Sequence, residues 1–370
     1  MKKLAVCAAF SIAAGSQAAW AQSPSPAPSN VTLYGLVDTG VEIIDKVGAS
    51  GERLTRMPSN TASLPSRWGL RGSEDLGGGL RAVFTLEAGL GMDTGLSGQG
   101  GRLFGRQAFV GLAGPWGTVS FGRQYTMLFW SMQDADILGP NVFGSASLDP
   151  YIPNARADNA LAYRGNFGGF TVGATYSLGR DAVNAGPSPV GTNCPGEAAG
   201  KSSTCREWSA MLKYDAPSWG VAAVVDRQHG GPGAFGGLGA GLKDTRSMLN
   251  GWVKLGDLKL GAGVLRRRNE GSPTPRSDLL FAGAAYALSP RFTLDGELLR
   301  LDFKDSPNRA TLAALRGTYH LSRRTAAYVS VGHMRNDGAL ALSVSSGAAG
   351  SAPVPGGNQN GVIVGLRHAF

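Results

Sequence analysis

The sequence predicts an all-β protein, a 16-stranded antiparallel transmembrane β-barrel with an infolded third loop. Three observations lead to this fold. Strand-length segments that alternate apolar and polar residues recur from residue 30 to the C-terminus. Beyond the N-terminus, no apolar stretch approaches the roughly 18–20 residues of a transmembrane helix. Short turns alternate with long loops rich in Gly, Pro, Asn and Asp, which is typical of membrane-spanning barrels.

The N-terminus predicts export from the cytoplasm. Two lysines after Met1 precede an apolar run, and Ala19-Trp20-Ala21 then forms an A-x-A cleavage site. Residues 1–21 are therefore assigned to a cleaved signal peptide, and residues 22–370 to a single barrel domain. An exported chain without a transmembrane helix can still cross a membrane as a closed barrel, because its backbone groups pair between strands.

The clearest strand pair spans residues 66–90, around a turn of three glycines at 77–79. Its apolar and polar residues fall on opposite faces. The apolar face holds Trp68, Leu70, Leu76, Leu80, Ala82, Phe84, Leu86 and Ala88, and the polar face holds Arg67, Arg71, Ser73, Arg81, Thr85 and Glu87. A soluble sandwich would also alternate. The repetition of such segments, with short turns set against long loops, favours the barrel.

Sixteen strands are predicted along the chain. They are 30–44, 66–76, 79–90, 102–113, 116–124, 159–166, 168–178, 207–216, 219–230, 244–256, 257–268, 277–288, 290–303, 309–321, 323–336 and 359–370. The long loops are 45–65, 125–158, 179–206, 231–243 and 337–358. An even number of strands brings both termini to the short-turn rim, and sixteen strands leave a lumen wide enough for water.

Composition and charge narrow the class of protein. Although 56 residues are Gly, 42% of the chain is hydrophobic, which argues against a disordered protein. The net charge is +9, and removal of Lys2 and Lys3 leaves +7. Export makes a nucleic-acid partner a poor explanation. A basic pore for anions, or basic patches facing anionic lipopolysaccharide, explains the charge better.

Two cysteines follow the predicted signal peptide, Cys194 and Cys205, in a loop rich in Gly, Pro and Ser. In an oxidising compartment these residues predict a structural disulfide, and two free thiols are the alternative.

The longest predicted loop, 125–158, combines apolar residues with the acids Asp134, Asp136 and Asp149. Loops of this length are usually functional or disordered. Its apolar content predicts that it folds into the barrel and narrows it, and an outward surface loop is the alternative. Arg123 and Arg156 lie near the ends of this loop, and alternation places Arg67 and Arg71 on the lumen face. Such arginines would line the constriction, with the three loop acids as candidate counter-charges, although solvated loop acids are the simpler interpretation of any one of them.

Several motifs in order along the chain resemble the Gram-negative trimeric porins, in their betaproteobacterial branch. These are 31–38 (VTLYGLVD), 66–80 (SRWGLRGSEDLGGGL), 117–125 (GTVSFGRQY), 158–163 (DNALAY), 167–170 (FGGF), 321–325 (LSRRT) and 365–370 (GLRHAF). The resemblance implies a homotrimer in the outer membrane that passes small hydrophilic solutes and anions without a cofactor or metal. Phe370 matches the family's C-terminal assembly signal.

The resemblance also implies a basic eyelet, the constriction of the channel, formed by Arg67, Arg106, Arg123 and Arg156. Strict alternation disagrees for two of these residues. It places Arg106 on the face of Val110, and Arg123 on that of Phe121. Either a bulge or a strand end resets the alternation, or these two arginines point elsewhere.

Three other functions compete with the diffusion channel. An enzyme is disfavoured because the four His residues are scattered and form no triad or metal spacing. A substrate-specific outer-membrane channel could use Phe129, Trp130 and Phe143, and a barrel plugged by its loops is a third possibility.

The arginine run 266–268 could contact lipopolysaccharide phosphates, although a solvated run at a strand end is commoner.

Overall fold

The computed structural model describes residues 30–181, 194–232, 234 and 237–370. The predicted signal peptide, residues 1–21, lies outside the described residues. Within the described part of the chain, no helix is long and apolar enough to cross a membrane.

The described strands form one antiparallel sheet that closes on itself, because the first strand pairs with the last. They are β1(Asn30–Val47), β2(Glu52–Arg56), β3(Arg67–Gly77), β4(Leu80–Gly89), β5(Gln107–Gly114), β6(Gly117–Tyr125), β7(Arg156–Phe167), β8(Phe170–Ser177), β9(Glu207–Asp215), β10(Trp219–His229), β11(Lys243–Leu255), β12(Leu258–Asn269), β13(Arg276–Ser289), β14(Phe292–Phe303), β15(Arg309–His320), β16(Thr325–Asp337) and β17(Asn358–Ala369). A four-residue turn, α1(Gly98–Gly101), and one short helix, α2(Met127–Met132), lie between strands. Two 3-10 turns follow α2, at Ser145–Ser147 and Ile152–Asn154.

The closed barrel has sixteen strand positions in the described chain, as predicted, because β2 and β3 share one of them. Both pair with the same edge of β1, β2 near its end at 42–47 and β3 near its start at 30–36. The prediction of a loop over 45–65 was therefore wrong for β2. The first strand runs three residues beyond the predicted end, and this extension gives the returning chain an edge to pair with.

The two faces of the barrel wall differ in the way that alternation predicts. On β16, for example, Val329 and Val331 are exposed on the outside, whereas Tyr328 and Ser330 are buried on the inside. In the same way, large apolar side chains stay exposed on strand after strand. This pattern gives the barrel an apolar belt, which a lipid bilayer can cover, around a more polar interior.

Aromatic side chains gather near the short-turn rim. Tyr214 lies between Phe170 and Trp219, with ring centroids 4.7 and 5.4 Å away. Amphipathic rings favour the boundary between hydrocarbon and headgroups, so this group marks the membrane interface.

Candidate functional site

Three arginines gather on the inward face of the barrel around one carboxylate and one phenol. Arg106 donates through Nε to Glu87 Oε1 at 2.7 Å and through Nη2 to the Tyr125 hydroxyl at 2.7 Å. Arg67 Nε lies 3.7 Å from the other oxygen of Glu87. Arg156 donates to the Tyr125 hydroxyl at 2.5 Å, and its guanidinium lies 4.3 Å from the centre of that ring. We call Arg67, Arg106 and Arg156 the arginine cluster.

The ends of neighbouring strands hold the arginine cluster in place. Arg67 begins β3 and Arg156 begins β7, while Arg106 directly precedes β5. Tyr125 ends β6, where its hydroxyl accepts hydrogen bonds from Arg106 and Arg156 on either side. Arg67 and Arg106 therefore share one carboxylate, Glu87, while Arg156 binds the neutral Tyr125 hydroxyl, which leaves the cluster with excess positive charge.

Arg123 lies in a separate network. It donates to the Gly105 carbonyl at 2.6 Å and to Asp158 Oδ1 at 2.5 Å. Arg102 binds the other oxygen of Asp158 at 3.0 Å and also Asp181 at 3.0 Å. The structure thus brings Arg67, Arg106 and Arg156 together, and pairs Arg123 with Asp158 near the start of β7.

Both arginines that strict alternation placed on the outer face have largely buried side chains, and each for its own reason. Arg106 precedes β5, so the strand begins only after it and does not fix its direction. Near Arg123 the pairing of β6 with β7 shifts register between Gly122 and Gln124, and Gly122 has a φ of 126°. A bulge of this kind turns the following side chain to the other face.

The third loop, residues 126–155 in the structure, is bound to strands outside the arginine cluster. Thr126 donates to Asp226 of β10 at 2.7 Å, and the Met127 amide donates to Ser209 of β9 at 2.9 Å. Farther along, the Val142 amide donates to the Ala62 carbonyl at 2.8 Å. These contacts fix both the start and the middle of the loop.

Inward-facing glycines give the third loop its close approach to the wall. A Cβ on Gly261 of β12 would lie 2.1 Å from the Ala135 carbonyl oxygen, and one on Gly361 of β17 would lie 2.6 Å from the Phe143 ring. A larger residue at either position would push the loop away from the wall. Phe143 is fully buried there, so the predicted apolar packing of this loop has a physical basis in the strands it covers.

Comparison with known proteins decides the family. The family model described as Gram-negative porin matches residues 7–339. The chain belongs to the Gram-negative porin family. It is therefore an outer-membrane channel for passive diffusion and not an enzyme.

Individual relatives agree with this family. The outer membrane porin protein 32 of Delftia acidovorans is 28% identical, and the alignment covers all of both chains. An outer membrane porin protein of Bordetella pertussis is 38% identical over 43% of this chain and 46% of its own length. Among solved structures, the anion-selective porin from Comamonas acidovorans has a TM-score of 0.73 at 25% identity, covering 93% of this chain and 100% of that one.

The three candidate counter-charges of the porin's third loop each bind a group outside the arginine cluster. Asp134 forms an ion pair with Lys213 of β9. Asp136 accepts from the Gly139 amide at 2.9 Å. Asp149 accepts from Arg246 of β11 at 2.8 and 3.2 Å. Asp134 and Asp149 thus hold the loop to the wall, and the carboxylate beside the arginine cluster is Glu87.

Glu87 and Tyr125 are the site residues that the sequence prediction missed. Alternation already placed Glu87 on the inner face of its strand, and it pairs opposite Gly69, two positions from Arg67. That diagonal neighbourhood was a usable signal for Glu87. Tyr125 gave no comparable signal, because a tyrosine at a strand end is ordinary.

The remaining predicted sites lie away from the arginine cluster. Cys194 and Cys205 form a disulfide in the structure. Phe370 follows β17, and its backbone exchanges two hydrogen bonds of 3.0 Å with Gly35 of β1 at the seam of the barrel. A side chain on Gly35 would collide with the Phe370 ring, so the terminal aromatic packs against the backbone of the first strand.

The ion pair of Asp149 predicts how acid affects the third loop. Burial acts to raise the pKa of Asp149, but the charges of Arg246 and Arg267 outweigh burial and lower the pKa to about 2. A lowered carboxyl pKa stabilises the fold fully above the ordinary value of 3.8 and loses this effect as the pH falls through about 2. We expect Asp149→Asn to be less stable than the native porin at pH 7, with the difference shrinking between about pH 4 and pH 2. Urea unfolding of both proteins across this range measures it, and a difference independent of pH would contradict the assignment.

The close contact at Gly261 predicts an overpacked variant. Gly261→Ala would place its Cβ against the Ala135 carbonyl, so we expect a loss of about 1–3 kcal/mol and a lower single-channel conductance as the loop moves inward. Gly317→Ala is the matched control, because its Cβ would lie 3.2 Å from the flexible Phe292 ring. Equal conductance of both variants would show that the loop does not rest on Gly261.

Proposed function

We propose that this porin is a general-diffusion channel that prefers anions, and that its constriction lies between the arginine cluster and the third loop. The observation that supports this most directly is the charge of the cluster, in which Arg67 and Arg106 share the carboxylate of Glu87 and Arg156 binds the neutral Tyr125 hydroxyl. Basic side chains lining a pore favour anions, and Arg stays charged at any relevant pH.

The third loop is suited to set the size limit. Its acids Asp134 and Asp149 are bound by Lys213 and Arg246, so they do not offset the arginine cluster. Small hydrophilic solutes would pass between the two sides by diffusion, without a cofactor or an energy source. The solved relative from Comamonas acidovorans is described as anion-selective, which agrees with this proposal.

Other copies of the chain, lipid and lipopolysaccharide are the proposed partners. We infer a homotrimer in the outer membrane, since solved structures of this fold include an outer membrane protein of Vibrio cholerae in trimer form, 15% identical with a TM-score of 0.64. Lipid would cover the remaining apolar belt. Lipopolysaccharide phosphates would meet Arg266 and Arg268, whose side chains pair with Asp278 and Glu270 yet remain 77% and 71% exposed, rather than Arg267, which is 28% exposed.

A planar-bilayer measurement tests the proposed function. Under a KCl gradient, the purified porin should give stepwise conductance that reverses toward the chloride potential. Conductance that reverses toward the potassium potential would keep the channel and refute the anion preference. Permeation that follows solute size alone would separate a general channel from a substrate-specific one.

A further inference from the structure

A patch of aromatic side chains with one arginine lies beside the arginine cluster, on helix α2 and strand β7. Phe129 stacks on Tyr125 with ring centroids 3.6 Å apart, and Trp130 meets both rings edge-on at 5.7 and 6.0 Å. The guanidinium of Arg164, on β7, lies 3.9 Å from the centre of the Trp130 ring. We call Phe129, Trp130 and Arg164 the aromatic patch.

The aromatic patch faces the inside of the barrel. On β7, Leu161 is exposed on the outer face and the alternate residue Ala162 is buried, so alternation places Arg164 on the inner side with Ala162. The contact of Arg164 with Trp130 supports this inward direction, because the third loop packs on inward-facing residues. Phe129 and Trp130 are only partly buried, which leaves apolar ring surface open next to a charge.

Arg164 differs from the arginines of the cluster in its partners. Arg106 and Arg156 are buried and hydrogen-bonded to Tyr125. Arg164 is exposed, and among the described residues no carboxylate forms an ion pair with it. Its guanidinium keeps its donors available while the indole fixes its position, an arrangement that suits a bidentate carboxylate.

We propose that the aromatic patch is a weak binding subsite for organic anions with an apolar body, and that aromatic monocarboxylates are its substrate class. The carboxylate would pair with Arg164, and the ring of the solute would lie against the exposed surface of Trp130 and Phe129. Aromatic rings gain from mutual contact beyond the burial of their surface, so such a solute would be retained longer than a small anion. This inference rests on the proposed function, since it places a binding site for solutes within the same channel.

Block of chloride current tests the subsite. In a planar bilayer with the native porin, benzoate should reduce the current at a lower concentration than acetate, because both carry one carboxylate and only benzoate carries a ring. Trp130→Leu and Arg164→Gln should each raise the half-blocking concentration of benzoate by about three- to tenfold and leave the weak effect of acetate nearly unchanged. Arg81→Gln is the control, because Arg81 shares the inner face of β4 with Glu87 by alternation and lies outside the patch.

The outcomes separate the subsite from the channel. If the porin conducts but benzoate and acetate block alike, the subsite is refuted and the proposed function stands. If Arg81→Gln weakens benzoate block as much as Arg164→Gln does, general lumen charge explains the effect and the subsite is also refuted. If Trp130→Leu changes the conductance without benzoate, Arg164→Gln alone decides. Absence of any conductance refutes the proposed function and the subsite with it.

Discussion

Replacing Arg67 and Arg156 by glutamine should abolish most of the anion preference, and replacing both by glutamate should reverse it. The double glutamine variant leaves Arg106 facing Glu87, so the arginine cluster becomes nearly neutral. One charge about 4 Å from a passing ion in water changes its energy by about 1 kcal/mol, which corresponds to a roughly fivefold change in permeability ratio per charge. The reversal potential under a KCl gradient measures the change.

Two choices make this experiment selective. Arg106 is left intact because it is buried, and its loss would strand Glu87 without its closest partner. Arg300→Gln serves as the control, since Arg300 is exposed on the outer face beside Leu298 and pairs with Asp302. Unchanged reversal potentials in the glutamate variant would show that the arginine cluster is not the selectivity site.

Removing Arg246 should cost this porin far more stability than removing an arginine from an exposed ion pair. Its side chain is 2% exposed and binds Asp149 of the third loop and Asp244 of its own strand. Arg246→Met would leave Asp149 buried without its bidentate partner, a loss of about 3–5 kcal/mol. Urea unfolding of the purified porin should show it, and limited proteolysis should cut the third loop faster than in the native protein.

A second substitution distinguishes the ion pair from simple packing. In Arg246→Met with Asp149→Asn, no uncompensated loop carboxylate remains at this position, so part of the lost stability should return. Arg276→Met is the matched control, because its pair with Asp305 is exposed and should be worth about 1 kcal/mol or less. If Arg246→Met costs no more than this control, the pair does not anchor the loop.

Alternation predicted the strands well because the wall has two different environments. The hairpin over 66–90 appears as β3 and β4 within one residue at each end. The prediction of a strand over 102–113 began five residues early, since Arg102 and Arg106 belong to side-chain networks before β5. Local pattern cannot show where a strand begins when alternation continues before its first paired residue.

The site was predicted less completely than the strands. Arg67 was recognised from alternation, Arg123 and Arg156 from their positions near the ends of the third loop, and the resemblance added Arg106. The structure joins Arg67, Arg106 and Arg156 around Glu87 and Tyr125, and pairs Arg123 with Asp158. The loop acids were predicted as counter-charges to the eyelet arginines. Instead, Asp134 pairs with Lys213 and Asp149 with Arg246, and both of these partners lie on strands far along the chain.

The sequence by itself determined the barrel and the basic character of the channel, because both follow from local pattern and composition. The tertiary structure decided which charges meet. Successive pairings place β3 to β7 side by side. The third loop crosses to β9–β12 and to β17, so residues such as Asp149 and Arg246 become neighbours across 97 positions. Which charged side chains pair depends on strand register, on bulges and on the space left by glycines. No single segment of the chain specifies these features by itself.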